Sequence, residues 1–202
     1  MNATTGQDAR LADERDAVIE ALLPRIEARG WSSVALAEAA ESALGDAAAA
    51  RGHFPRGAVS AIEAWAGLSD RRMAAQAAAE AIAPLRVPAR IRRLVEIRLE
   101  QATPHREALR RALGLLALPW NAATAARITA RTVDAMWNAA GDTSDDLSWY
   151  TRRATLAGVY GSTLAYWLRE PEDLAATLEF LDRRLAEVAR IGRARRRVGG
   201  RA

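Results

Sequence analysis

The chain has 202 residues and a formal net charge of +4, which arises from 29 Lys or Arg positions and 25 Asp or Glu positions. All 29 of the basic positions are Arg and Cys is absent, which excludes disulfides, zinc–thiolate sites and lysine Schiff-base chemistry. Half of the residues are hydrophobic and Ala is abundant, whereas strand-forming residues are scarce. The composition therefore predicts an all-α protein.

Three helices are predicted in the N-terminal part of the chain. The first spans Leu11–Arg29, carries Val18, Leu22 and Ile26 on one apolar stripe, and is interrupted at Pro24. Glycine turns then separate a second helix, Val34–Leu44, from a short third helix, Asp46–Arg51. A long fourth helix follows from about Gly57 to Ala83. This succession resembles the helix-turn-helix part of tetracycline-repressor-type regulators.

The short third helix is poorly equipped to read DNA. It offers Arg51 among alanines, whereas base recognition needs several long polar side chains. Nucleic acid is therefore not an expected partner. A ligand-responsive transcription regulator of the tetracycline-repressor type remains the alternative function.

Five further helices are predicted after the break at Pro84–Pro88. Gly141 is predicted to end one of them in a left-handed conformation, and Gly158 and Gly161 permit either close helix packing or a void. The longest uncharged run, Ala154–Leu168, is shorter than the roughly 18–20 residues that span a bilayer. The predicted helices are Ala89–Ala102, Pro104–Leu118, Asn121–Ala140, Leu147–Leu168 and Pro171–Arg190.

The last predicted helix carries an apolar stripe. Leucines recur along it at spacings of four and three, beside Arg183 and Arg184. Such a stripe either docks on its own domain or on a second copy in a homodimer, or lies in the interface of an anionic membrane. The predicted segments are a disordered 1–10, a helix-turn-helix-like 11–55, a larger helical core 56–170, an amphipathic helix 171–192 and a basic tail 193–202.

The sequence holds no recognisable catalytic or metal-binding constellation. His53 and His105 lack a second ligand at helical spacing, and there is no Glu-x-x-His pair, nucleophile elbow or glycine-rich phosphate loop. His105 is predicted to cap or pack at a helix start, and His53 to be exposed or packed on Phe54. We therefore expect a protein that is not an enzyme and needs no metal or cofactor.

The segment Ala140–Leu168, AGDTSDDLSWYTRRATLAGVYGSTLAYWL, closely resembles the coenzyme Q biosynthesis accessory family, the lipid-binding proteins that work beside the ubiquinone hydroxylase. The resemblance covers most of residues 15–192. It implies a tetracycline-repressor-like fold without a DNA-binding role, a lipid-binding core over 56–170 and a membrane-binding C-terminal helix. Further matching segments are Pro104–Ala108, Leu116–Pro119, Arg131–Asp134 and Phe180–Arg184.

The same resemblance implies three sets of site residues. The partner-binding set is Asp134, Met136, Asp146, Trp149, Tyr150, Arg152 and Arg153. The lipid-binding set is Trp137, Leu156, Tyr160, Leu164 and Trp167, although by spacing alone these side chains could instead fill a core of small alanines. The membrane-binding set is Leu174, Leu178, Leu181, Arg183, Arg184 and Leu185.

The expected function is that of an accessory protein in ubiquinone biosynthesis. It would bind a polyprenyl quinone intermediate, an isoprenoid lipid, and present the head group to a partner hydroxylase. Met1–Arg15 is polar and has no apolar signal segment. The expected location is therefore the cytoplasm of a bacterium, with peripheral association at the inner membrane.

Overall fold

The computed structural model describes residues 2–142, 147–169 and 173–199, and side chains within 6–142, 149–169 and 173–190. These ranges contain ten α-helices and no strand, which confirms the predicted all-α class. The helices are α1 (Asn2–Leu22), α2 (Ile26–Arg29), α3 (Ser33–Leu44), α4 (Ala49–His53), α5 (Ala58–Ala79), α6 (Val87–Ala102), α7 (Arg106–Leu116), α8 (Ala122–Ala139), α9 (Leu147–Arg169) and α10 (Leu174–Gly199).

Proline interrupts the helical path at three places. Short 3₁₀ turns occupy Leu23–Arg25, Thr103–His105 and Pro119–Asn121, and each contains a proline. Proline has no N–H to donate and its ring clashes with the preceding turn, so the α-helix cannot continue unchanged. The predicted interruption at Pro24 is confirmed.

Both chain ends are more helical than the sequence predicted. The first helix begins at Asn2 where disorder was predicted for 1–10, and the last runs to Gly199, past its predicted end at Arg190. Hydrophobic periodicity cannot detect such segments, because most of their residues are polar, charged or small. An ion pair one turn apart, between Arg10 Nε and Glu14 Oε1 at 2.9 Å, adds a small contribution in α1.

The first of two compact units contains the described residues up to Arg71 together with Gln101–Thr129. The stripe predicted on the first helix lies in its core, where Val18, Leu22 and Ile26 are fully buried. The units alternate along the chain, whereas the sequence patterns suggested contiguous segments.

Two tryptophans organise the core of this unit. Trp31 Nε1 donates to the carbonyl oxygen of Ala108 at 3.0 Å, and its ring lies 5.7 Å from that of Trp65. The edge of His105 meets Trp65 with ring centroids 6.3 Å apart. His105 therefore packs at the start of α7, one of its two predicted roles, and makes no side-chain cap hydrogen bond.

The second unit contains Arg72–Glu100 together with the described residues from Ala130 onward. Within it α9 and α10 pack against each other, and the rings of Tyr166 and Phe180 stack 4.6 Å apart at an angle of 9°. Arg92 Nε on α6 donates to Asp182 Oδ1 on α10 at 2.8 Å. Leu164, Trp167 and Leu181 are buried in this unit.

Arginines fix the segment between α5 and α6. Arg90 Nε donates to the Leu85 carbonyl at 2.7 Å, and Arg90 Nη1 to the Ala140 carbonyl at 2.7 Å, so that one guanidinium holds this loop to the end of α8. Arg93 pairs with Glu80, and the hydrogen bonds from Arg93 lower the pKa of that carboxyl to about 2. Residues 83–89 are exposed, so burial does little to fix this segment. Hydrogen bonds from charged arginines hold it instead.

Glycines in this unit have opposite environments. Gly141 follows α8 with a φ of +79°, as predicted, and a Cβ there would come within 3.1 Å of Arg90 Nη1. Gly158 and Gly161 lie exposed in α9, and a Cβ at either would meet nothing within 4 Å. They therefore provide neither the close packing nor the void that the sequence permitted.

These environments predict stability changes of opposite sign. Gly158→Ala and Gly161→Ala should each raise the free energy of unfolding by about 0.5–1 kcal/mol, because Ala restricts the unfolded chain and fits the helix. Gly141→Ala should lower it by about 1–2 kcal/mol through the left-handed backbone. Urea denaturation of the three variants measures the differences. Loss of stability at Gly158 would contradict the open environment described for it.

Candidate functional site

A pocket of about 510 Å³ opens in the second unit, at the end where α9 begins. Four helices build it, since α6, α8, α9 and α10 all contribute side chains. The lining is mostly aliphatic, and the volume lies within the range usual for small-molecule sites. The lining residues are Val87, Pro88, Ile91, Trp137, Thr151, Arg152, Thr155, Leu156, Val159, Leu185, Val188 and Ala189.

The polar side chains of the pocket lie near the start of α9. Thr155 Oγ1 donates to the Thr151 carbonyl at 2.7 Å, and Arg152 Nη1 donates to Asp142 Oδ1 at 2.9 Å. Trp137 contributes an indole ring from α8. The pocket therefore has one partly polar wall and an otherwise aliphatic surface, an arrangement that suits an apolar molecule with a small polar end.

A buried arginine joins α8 to α9 beside the pocket. Arg153 Nε donates to Asp134 Oδ1 at 2.8 Å, and its Nη1 lies 3.4 Å from Asp142 Oδ2. The side chains of Arg153 and Asp142 are only 11% and 8% exposed. Since a buried charge needs a partner, these ion pairs hold the two helices in one arrangement.

The same guanidinium supports an aromatic pair. Arg153 Cζ lies 3.8 Å from the centre of the Trp149 ring, and the Trp149 and Tyr150 rings meet edge to face with centroids 4.8 Å apart. Tyr150 is 69% exposed, while Trp149 is half-buried. The geometry thus presents an exposed ring on a rigid, charged support, which is how residues that anchor protein interfaces are often arranged.

The structure separates the predicted partner-binding residues. Asp134, Trp149, Tyr150, Arg152 and Arg153 are brought together by the contacts above. Met136 is 0% exposed and lies in the core, so it cannot present its side chain on an exposed face. On a helix such as α8, residues three or four apart share a face, and position 136 lies on the face that packs into the core. Asp146 lies outside the described residues.

The predicted lipid-binding residues divide in a similar way. Trp137 and Leu156 line the pocket. Leu164 and Trp167 are buried further along α9, outside the pocket lining, and Tyr160 is half-buried there. The resemblance grouped these three with Leu156, yet the pocket lining on α9 ends at Val159. The alternative that the stripe fills a core describes Leu164 and Trp167.

The predicted membrane-binding stripe of α10 is largely covered by other side chains of the same unit. Leu181 is 0% exposed in the core, which corrects its predicted contact with a membrane. Leu174, Leu178 and Leu185 are half-buried, and Leu185 lines the pocket. The stripe is covered because α10 packs on α9. Of the two predicted arginines, Arg183 is exposed and Arg184 lies over the Phe180 ring at 5.2 Å.

Sequence reasoning missed the walls that α6 and α10 provide. Val87, Pro88 and Ile91 approach from α6, and Val188 and Ala189 from α10. The available signal was weak: an exposed valine and proline at the break before α6, and a leucine stripe on α10 that continues to Val188. Asp142, which pairs with both Arg152 and Arg153, lies in the segment Ala140–Leu168 but was assigned to none of the three predicted sets.

The side chain of His53, which could titrate or bind a metal, makes contacts within the protein. His53 Nε2 lies 3.5 Å from Glu14 Oε2, and its ring is 6.3 Å from Phe54. The described residues contain no group of three His, Asp or Glu side chains that could hold a metal ion. Among the helices of those same ranges, none is long and apolar enough to cross a membrane.

A solved structure defines the class of fold. The TetR transcriptional regulator from Nitrosomonas europaea superimposes on this chain with a TM-score of 0.69 at 22% sequence identity, over 87% of this chain and 97% of that one. The fold is therefore tetracycline-repressor-like and entirely helical in the parts described, as predicted. At this identity the likeness concerns the fold alone.

The sequence is more specifically similar to that of COQ9 proteins. Residues 122–192 match the COQ9 family model, and this segment contains the pocket walls of α8, α9 and α10. Ubiquinone biosynthesis protein COQ9, mitochondrial, from Xenopus tropicalis is 33% identical over 87% of this chain, and the human protein of that name is 31% identical over 90%. The chain spans 57% and 59% of the length of these two relatives. The predicted resemblance is confirmed.

These relatives correct the expected location. The sequence led to a bacterial protein in the cytoplasm at the inner membrane, but the relatives are eukaryotic proteins named as mitochondrial. That expectation is wrong. It rested on the lack of an apolar segment in the first residues, a feature that identifies secretory signals only, since mitochondrial targeting segments are amphipathic and Arg-rich.

Proposed function

We propose that this protein is a lipid-binding accessory protein of ubiquinone biosynthesis, which binds a polyprenyl quinone intermediate and presents it to a partner hydroxylase. The COQ9 relatives, named as ubiquinone biosynthesis proteins, support a role in that pathway. The single observation that carries lipid binding is the aliphatic pocket with one partly polar wall, inside the segment that matches COQ9.

The physical need for such a carrier is solvation. Each CH₂ of an isoprenoid exposed to water costs about 0.8 kcal/mol, so a long tail does not cross water to reach a soluble active site. A pocket lined by Ile91, Leu156, Val159 and Leu185 replaces water around part of the molecule. The role proposed is to bind and position the substrate, while the partner carries out the hydroxylation.

Blocking the pocket should abolish binding of the quinone. Ala189 lines the pocket and is exposed, so Ala189→Trp places a large ring in the pocket at little cost to folding. We expect mass spectrometry of solvent extracts to detect a prenyl quinone in the unchanged protein and none in purified Ala189→Trp protein. Ala186→Trp is the matched control, because Ala186 is exposed on α10 and does not line the pocket. Equal lipid content in both variants would reject the pocket as the binding site.

The partner hydroxylase is proposed to dock on Trp149 and Tyr150. The support is their contact with each other and with Arg153, next to the polar wall of the pocket. A partner seated there would lie beside a head group bound at Thr151 and Arg152. The proposal no longer includes Met136, because its side chain is buried.

Truncating the exposed ring should weaken the complex and spare the fold. Tyr150→Ala removes an interface anchor of the kind that contributes about 2 kcal/mol, so the hydroxylase should bind about thirtyfold more weakly. The thermal midpoint should stay unchanged, since Tyr150 is largely exposed. Trp120→Ala is the control, because Trp120 is 77% exposed in the other unit. Binding measured by surface plasmon resonance that does not distinguish the two variants would exclude this face.

Membrane attachment is proposed to be electrostatic. The apolar stripe of α10 packs within the unit, so arginines along the exposed side of that helix, with the Arg-rich end of the chain, would attract an anionic surface. Arg183 and Arg190 are exposed there. Glu179 and Asp182 on the same helix weaken the attraction. Salt screens it further, as it does any interaction between exposed charges.

Charge removal on α10 should therefore reduce vesicle binding. Each Arg near an anionic surface contributes about 1 kcal/mol, so Arg183→Gln with Arg190→Gln should lower the partition coefficient onto phosphatidylglycerol-containing vesicles about thirtyfold. Arg10→Gln with Arg51→Gln changes the charge equally in the other unit and should leave flotation unaffected. Equal loss in both double variants, or no flotation of the unchanged chain, would argue against attachment through α10.

A further inference from the structure

The segment 83–89, which leads from α5 into the first turn of α6, presents apolar side chains to the solvent. All seven of its residues are exposed, and Leu85 and Val87 are 45% and 44% exposed. Arg86 is its single charged residue. Exposed apolar side chains that are grouped in one place indicate a contact surface, whereas scattered ones need no explanation.

The backbone of this segment is hydrogen-bonded within the protein. Arg90 donates through Nε to the Leu85 carbonyl at 2.7 Å and through Nη2 to the Ala83 carbonyl. The Arg86 carbonyl accepts from the backbone N–H groups of Ala89 and Arg90 at 2.9 and 3.0 Å. The two prolines of the segment have no N–H. A segment that enters lipid must satisfy its polar backbone groups internally, because lipid offers no hydrogen bonds, and these contacts contribute to that.

The same segment forms part of the wall of the pocket. Val87 and Pro88 line the pocket, and Val188 and Ala189 of α10 line it too. Leu85 is not part of the lining, so its exposed surface lies outside the pocket. One short segment therefore carries an apolar outer surface and a portion of the pocket wall.

We propose that the segment 83–89 enters the outer part of a lipid bilayer and places the pocket against the membrane; this rests on the proposed function. Leu85 is the apolar anchor, since its transfer out of water is favourable. Arg86 extends its guanidinium to the lipid phosphates while its aliphatic stem stays among apolar groups. An isoprenoid then passes from the bilayer along Val87 into the pocket.

A bilayer fits this surface better than a protein partner does. Apolar side chains, a phosphate-binding arginine and the wall of a lipid-sized pocket occur together at one place. This contact adds an apolar component to the electrostatic attraction proposed for α10, which also lines the pocket. It therefore acts on uncharged vesicles as well as on anionic ones.

A single fluorescent label shows whether the segment enters lipid, because the chain has no cysteine of its own. Leu85→Cys and Leu11→Cys, each labelled with the fluorophore NBD, form a matched pair, since Leu11 is 42% exposed and lies in the other unit. Vesicles of phosphatidylcholine and phosphatidylglycerol should shift the emission at position 85 to the blue and protect it from iodide quenching. The label at position 11 should do neither.

Binding measurements separate contact with the membrane from binding in the pocket. Leu85→Ala should bind the same vesicles about fivefold more weakly, as expected when a half-exposed leucine side chain no longer leaves water, and Leu11→Ala should bind them normally. Short-chain ubiquinone, measured by calorimetry in the absence of vesicles, should bind Leu85→Ala and the unchanged protein equally, because Leu85 does not line the pocket.

The alternatives give different results. Equal responses of the two labels to vesicles, or no response at position 85, would overturn the proposal. A response at position 85 to the hydroxylase, or to rising protein concentration, without vesicles would assign the segment to a partner protein or to a second copy instead. Loss of ubiquinone affinity in Leu85→Ala would overturn it too. If the label enters vesicles but the unchanged protein binds no quinone, the membrane contact is supported and the proposed function fails.

Discussion

The end of the second unit depends on one buried guanidinium. Arg153 bonds Asp134 within α8 and Asp142 just after it, and its flat face covers Trp149. Taking such a charge out of water is costly unless its partners keep their places, so the contact admits little variation in how α8 meets α9. The pocket wall draws on both helices, as does the aromatic surface. Both features are therefore shaped by the same contact.

This arrangement places the exposed aromatic pair directly beside the pocket. Trp149 and Tyr150 precede Thr151 and Arg152 without interruption, so a single turn of α9 faces the solvent on one side and the pocket on another. Arg152 and Arg153 share Asp142, which joins the two environments electrostatically. In the proposed function, the head group of the lipid and the surface of the partner would meet at this turn. Beyond Val159, α9 packs against α10, where Tyr166 stacks on Phe180.

Apolar stripes and local backbone conformations could be predicted from the sequence, whereas the packing of the helices against one another could not. The stripe of Val18, Leu22 and Ile26 and the left-handed Gly141 were predicted because periodicity and backbone geometry are properties of a few adjacent residues. The resemblance assigned Leu181 and Met136 to surfaces, and sequence patterns could not correct this, because periodicity identifies an apolar face without saying what covers it. The pocket needs side chains from four helices, so Val87 gave only a weak signal and Ala189 gave none. The resemblance to COQ9 predicted a region for the site, and the structure shows which side chains of that region line the pocket.

In the proposed function, the volume of the pocket limits how much of an isoprenoid the protein can enclose. A volume of about 510 Å³ suits a molecule of drug size, whereas a prenyl chain of many units is much larger. Part of such a chain would stay outside the protein while the ring is held inside. Exposing that part to water would be unfavourable, so it would remain dissolved in the bilayer. The protein would then lift one end of its ligand out of the lipid phase without extracting the molecule, and hand-over would occur at the membrane surface instead of by free diffusion.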